Sequence, residues 1–208
     1  EADPSVRVIL FQGDGDSFTA GNDLADFASQ ARGESAVDSP AHRFIETISK
    51  VGKPLVAAVQ GNAVGVGTTM LFHCDYVLAS KTALFSTPFS NFGLVPEGAS
   101  SLLMPRTMGH QRAFAMLVMG RTFTAAEAQG AGFVNTVVSP GHTEVEARKV
   151  ARDICKLPAE AVATSRRLLR AAPEELTRRI DQESHLFGDR LKSPEAIAAF
   201  KAFANRKK

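Results

Sequence analysis

Leu55-Val56-Ala57-Ala58-Val59-Gln60-Gly61-Asn62-Ala63-Val64-Gly65-Val66-Gly67-Thr68-Thr69-Met70-Leu71-Phe72, with Asp75-Tyr76-Val77-Leu78-Ala79 following, decides the fold class. Residues 55–59 are continuously apolar, without polar alternation, which predicts a strand buried on both faces. The chain then turns through Gly61, Gly65 and Gly67 into 68–72, a short apolar helix, and returns as a strand over 75–79. Strand, glycine-rich turn, helix and strand in that order predict an α/β protein with crossover connections.

Upstream, Val6-Arg7-Val8-Ile9-Leu10-Phe11 predicts another strand buried on both faces, closed by the loop Gln12-Gly13-Asp14-Gly15-Asp16. A chain that opens on a core strand leads us to expect that a front section of the natural protein precedes it. Ser39-Pro40 is an N-cap and first-turn pair for a helix carrying Phe44, Ile45, Ile48 and Val51 on one face, stopped by Gly52 and Pro54. Beyond residue 138 the pattern becomes helical. Thr143-x-x-Glu146 reads as a capping box before Ala147, Val150, Ala151 and Ile154. Further helices follow Pro158, Pro173 (Leu176, Ile180, Phe187, Leu191) and Ser193-Pro194 (Ile197, Phe200, Phe203). We expect a core over 1–141 that carries the site and a helical oligomerisation region over 142–208, packed on the core, on another subunit, or on both.

The chain has 208 residues, of which 44% are hydrophobic and 22% charged, which excludes a disordered, collagenous or coiled-coil protein. A net charge of +2 argues for neither nucleic acid nor an anionic membrane as partner. Residues 139–208 hold 15 basic and 10 acidic side chains, but Arg166, Arg167, Arg178 and Arg179 fall where helices need solvated faces. Cys74 and Cys155 are far apart in apolar settings and are expected to be reduced and buried. No apolar run is long enough to span a membrane and no signal peptide is seen, so a cytoplasmic location is expected.

Three segments could carry chemistry. Gly65-Val66-Gly67-Thr68-Thr69-Met70 has methionine where a dinucleotide fingerprint needs its third glycine, and no Lys-Ser/Thr follows for a phosphate loop. What it offers is bare backbone with amides near Val66 free at a helix start; a tight turn for close packing is the other reading. Ser17-Phe18-Thr19-Ala20-Gly21-Asn22-Asp23-Leu24 is a second small-residue turn. If the Asn22 and Val66 amides face one carbonyl oxygen they form an oxyanion hole, each donor contributing ~2.7–4 kcal/mol to a transition state. In the third segment, Leu94-Val95-Pro96-Glu97-Gly98, a single carboxylate stands in apolar surroundings near a helix start. Burial would raise its pKa and the helix terminus would lower it; Glu97 reads either as a first-turn helix acid or as a general base. Asp14-Gly15-Asp16 lacks the glycine and glutamate of a calcium loop, and the five histidines show no metal spacing, so no metal site is expected.

These three segments, with Lys53-Pro54 before the glycine turn, Cys74-Asp75, Thr124-Ala125-Ala126-Glu127-Ala128 and Gly132-Phe133-Val134, resemble the crotonase superfamily, the enoyl-CoA hydratase/isomerase family, over nearly the whole chain. The resemblance implies a ClpP-like spiral of ββα units with a C-terminal helical region that builds trimers or hexamers. It implies an acyl-CoA thioester held along Ala20, Gly21, Asn22, Asp23, Leu24, Gly65, Val66 and Gly67, its oxygen on the Asn22 and Val66 amides, and no cofactor beyond the coenzyme A of the substrate. Where the family's hydratases carry two glutamates, this chain has Thr69 and Phe89. Glu97 instead matches the single base of the Δ3,Δ2-enoyl-CoA isomerase branch, so the expected reaction moves a 3-enoyl double bond to the 2-position in fatty-acid oxidation. A hydratase or other crotonase-type lyase, a non-catalytic acyl-CoA-binding or RNA-binding member, and more distantly a dinucleotide oxidoreductase are the competing readings.

Overall fold

The computed structural model describes residues 1–22, 39–170 and 172–206. The main sheet is four-stranded and parallel throughout, in the order β1 (Ile9–Gln12), β2 (Leu55–Val59), β4 (Tyr76–Ser80), β7 (Thr136–Val138). A smaller sheet holds β3 (Asn62–Val64), β5 (Leu84–Ser86) and β6 (Phe123–Thr124). Strand β2 explains the continuous apolar run. Leu55, Ala57 and Val59 join Val77, Phe85 and Phe133 in the principal core on one face. Val56 and Ala58 pack with Leu78 and Ala147 on the other. Strand β1, read from the sequence as buried on both faces, is only half-buried, and Gln12 is exposed. Among the described residues it is the end strand of the sheet, paired along β2 alone.

The chain climbs by repetition. β2 and β3 are followed by the short helix α2 (Val66–Thr69) and a 3₁₀ turn over Met70–His73; β4 and β5 are followed by α3 (Ser100–Met108). In each unit the first strand enters the large sheet and the second the small one, with β4 parallel to β2 and β5 parallel to β3. β3 is a correction to the sequence reading, which took 61–67 as one turn; flanking glycines hide a strand of three residues. Gly61 is required at its start, because φ is +56° and a Cβ there would sit 1.9 Å from the Asp16 carbonyl oxygen.

Helix α1 (Pro40–Lys50) begins as expected, Ser39 Oγ accepting from the His42 amide. α4 (His110–Leu117) and α5 (Ala125–Gly130) lead into the last helices, α6 (Thr143–Cys155), α7 (Ala159–Leu169), α8 (Pro173–Leu191) and α9 (Pro194–Arg206). The capping box expected at Thr143 does not form: Thr143 is already inside α6, buried in register with Ala147, and its hydroxyl has no partner. The box that forms is Thr124 with Glu127, at the start of α5. The helices pack on the α/β core, α6 beneath the large sheet, Leu176 and Ile180 of α8 against Ile45 and Ala99, and Phe200 of α9 stacked on Phe92 at 5.2 Å.

Two further expectations change. Arg166 is not solvated; it is 8% exposed, with Nε on Asp75 Oδ2 (2.6 Å) and Nη1 on the Val51 carbonyl (2.5 Å). Asp75 also accepts from the Leu55 amide, so one carboxylate ties α7 to the start of β2. Arg179 is half-buried, while Arg167 and Arg178 stay exposed. Cys155 is exposed at the end of α6; Cys74 is half-buried, and burial, with Asp75 adding, pushes its thiol up to about 12. Among the described residues no helix is long and apolar enough to cross a membrane.

Candidate active site

The two small-residue turns lie side by side. The amides of Phe18 and Thr19 donate to the Asn62 carbonyl, Val64 donates to the Thr19 carbonyl, and Thr19 bridges Ala63 in parallel register. The segment leading to Ala20, Gly21 and Asn22 therefore runs along β3. Gly21 has φ +92°, and a Cβ there would stand 2.7 Å from the Val64 carbonyl oxygen, so only glycine brings the two backbones together. Across the same contact, a Cβ on Gly67 would meet the Thr19 methyl at 2.3 Å. Asn22 follows directly on this contact; Asp23 and Leu24, the remaining residues expected along the substrate, lie outside the described residues.

At the second turn Gly65 donates to the Ser86 carbonyl and its own carbonyl accepts from Thr68 and Thr69. Val66 is the first residue of α2, where an amide has no acceptor within the helix. Thr69, one turn on, is fully buried, and its hydroxyl lies 3.1 Å from Glu97 Oε1 and 3.4 Å from the Val66 carbonyl oxygen. A single side chain thus links Glu97 to the turn that starts at Val66.

Glu97 is 8% exposed and its pKa is pushed up to about 7. Burial is the principal cause, the Thr69 hydroxyl opposes it, and the charge of Glu183 adds to it. Desolvation outweighs the Thr69 bond, and Glu97 sits ahead of α3 rather than in its first turn. The backbone here is tightly wound. Gly98 and Ala99 have φ of +73° and +56°, and Ala99 is the one non-glycine residue with positive φ among those described. His73 Nε2 bonds the Gly98 carbonyl at 2.8 Å, and burial pushes that imidazole down to about 4, so it is neutral. Phe89 is buried edge-on to Phe187, so neither it nor Thr69 supplies a carboxylate.

Sequence reading missed Glu183. It is 4% exposed, and it accepts from the Ala99 amide (2.6 Å), the Ser101 amide (3.0 Å) and the Ser101 hydroxyl (2.5 Å). The signal was present: Leu176, Ile180, Phe187 and Leu191 mark the buried stripe of α8, and Glu183 falls on that stripe. Among the described residues no group of three or more His, Cys, Asp or Glu side chains could hold a metal ion.

The family described as Enoyl-CoA hydratase/isomerase matches residues 1–208. "Enoyl-CoA delta isomerase 2" of Rattus norvegicus is 37% identical over 205 residues, 96% of this chain and 52% of that protein, so this chain spans about half of that relative's length. "Probable enoyl-CoA hydratase" of Rhizobium meliloti is 33% identical over 212 residues, 97% of this chain and 80% of that one. Among solved structures, OdaA of Pseudomonas aeruginosa superposes with a TM-score of 0.91 at 44% identity, covering 97% of this chain and 82% of that one.

Proposed function

The chain belongs to the enoyl-CoA hydratase/isomerase family, the crotonase superfamily, and we propose that within it this protein shifts the double bond of a 3-enoyl-CoA into conjugation with the thioester. The observation that carries this reading is the buried carboxyl group of Glu97, bonded to Thr69 where hydration would call for another acid, while Glu183, the other buried carboxyl nearby, is taken up by the Ala99 and Ser101 amides. The Glu97 carboxylate removes a proton from C2. The electrons move into a dienolate whose oxygen the Asn22 and Val66 amides stabilise, and the Glu97 carboxylic acid returns the proton to C4. Atoms and charge balance with no water and no redox partner, and coenzyme A enters only as part of the substrate. A pKa near 7 suits a group that takes and returns the same proton. The rat relative's name supports isomerisation, and the Rhizobium relative's name supports hydration as the second reading.

The reading extends to a thioester lying along Ala20–Leu24 and Gly65–Gly67, to a cytoplasmic location, and to a trimer or hexamer. Leu168 and Leu169 of α7, 80% and 88% exposed, support such an assembly. The test is to supply 3-enoyl-CoA and 2-enoyl-CoA separately. Isomerisation of the first is expected, with kcat/KM falling about tenfold per pH unit below a bend near pH 7. Rapid water addition to the second that survives Glu97→Gln overturns the proposal in favour of a hydratase. Coenzyme A binding without turnover of either overturns it in favour of a non-catalytic member.

A further inference from the structure

The turn that presents Glu97 is held from outside. Glu97, Gly98 and Ala99 precede α3 with two consecutive left-handed residues, and an alanine at φ +56° is a strained conformation that persists only where its surroundings over-determine it. The surroundings here are few. Ser100 donates to the Glu97 carbonyl, His73 engages the Gly98 carbonyl, and both oxygens of Glu183 accept from the residues on either side of Ser100. Backbone amides can only donate, so Oε1 and Oε2 of Glu183 are both committed as acceptors, the arrangement an ionised carboxylate needs. The Ser101 hydroxyl accepts from Arg179 Nη1 at 3.0 Å and so turns its own proton toward Glu183. Burial pushes the Glu183 carboxyl above the ordinary carboxylate range, and the Ser101 and Ala99 bonds and Arg179 act against that rise.

We propose that Glu183 is the positioning residue of this active site: an ionised carboxylate, delivered from α8, that clamps the strained turn carrying Glu97 and places a negative charge beside it. The proposal rests on the reading of Glu97 as the proton shuttle. The groups around Glu97 leave Glu183 as its neighbouring negative charge among the described residues. α2 presents the Thr69 hydroxyl, the 3₁₀ turn presents neutral His73, α1 presents apolar Ile45 against Gly98, and α8 presents Glu183 with Arg179 behind Ser101.

The test is Glu183→Gln, which keeps size and shape and removes the charge. Two readouts are followed: the acid limb of kcat/KM for 3-enoyl-CoA, and titration of the Glu97 carboxyl by infrared spectroscopy with ¹³C-labelled glutamate, assigned by its loss in Glu97→Gln. Both are expected to move down by roughly one pH unit, because a like charge has been withdrawn. The plateau kcat falls severalfold with KM nearly unchanged, and Glu183→Asp recovers part of the shift. If Glu183→Gln does not fold, it is made together with Ala99→Gly, since glycine adopts the left-handed conformation without the alanine's strain. A folded variant whose limb and infrared titration both stay in place overturns the proposal. An infrared shift in a protein that isomerises no enoyl-CoA supports the clamp and overturns the assigned reaction, so the two failures are distinguishable.

Discussion

Glu97→Gln is expected to lower kcat for the proposed isomerisation by about a thousandfold, within the range that a positioned general base contributes. It should do so while making the folded protein more stable at neutral and alkaline pH. The sign follows from the carboxyl's displacement from 4.5 to about 7. A folded-state pKa above the unfolded one means that the folded state binds the extra proton between those values. Its stabilising contribution is fully present below about pH 4.5 and is lost as pH rises through about 7. Above that, keeping Glu97 ionised in its buried position costs about 3 kcal/mol. A glutamine there is never ionised and can still meet the Thr69 hydroxyl. The variant should therefore melt several degrees above the parent at about pH 8 and level with it at about pH 4.5, by differential scanning calorimetry at both pH values. Lower stability at both, with substrate affinity also gone, would show that Glu97 supports the fold rather than the reaction.

The largest expected loss of stability lies away from the site, at Asp75→Ala. Asp75 is the acceptor for both the Arg166 guanidinium and the Leu55 amide, and Arg166 is almost wholly enclosed. Removing the carboxylate leaves a buried cation with the Val51 carbonyl as its remaining described acceptor, and an unpaired amide at the start of β2. Breaking a buried pair by taking one partner costs about 3–5 kcal/mol, and the low end applies because Asp75 itself faces solvent on one side. Replacing Arg166 by methionine as well should recover part of the loss, since the apolar chain needs no counter-charge. Urea denaturation of the parent, the single variant and the double variant measures this. A double variant no more stable than Asp75→Ala would mean that the Leu55 amide, not the stranded cation, carries the cost.

The residues behind these two predictions differ in how far the sequence revealed them. Glu97 was visible as the one acid in an apolar stretch, and the glycines at 21, 65 and 67 announced sharp turns. Burial of Arg166 was not visible, because an arginine near the end of an amphipathic helix looks the same whether it meets water or a carboxylate on a distant strand. The box at Thr143 failed for a related reason: Thr-x-x-Glu fits a cap at one register, and packing of Ala147 beneath the sheet drew the helix start one residue earlier. Strand β1 was recognised, but its place at the end of the sheet among the described residues, with β2 along one edge, is encoded by no local pattern.

Periodicity and turn chemistry are local, so the sequence by itself determined the α/β class, the strand at 55–59, the glycine turns beside it, the helical C-terminal third and a lone candidate base. Long-range pairing needs closed loops. Ser101 and Glu183 stand 82 residues apart, and folding alone decided that the second carboxylate would meet the turn that bears the first. The rise of the Glu97 carboxyl above the ordinary carboxylate range likewise comes from three dimensions, from how much water the surrounding layers displace from it.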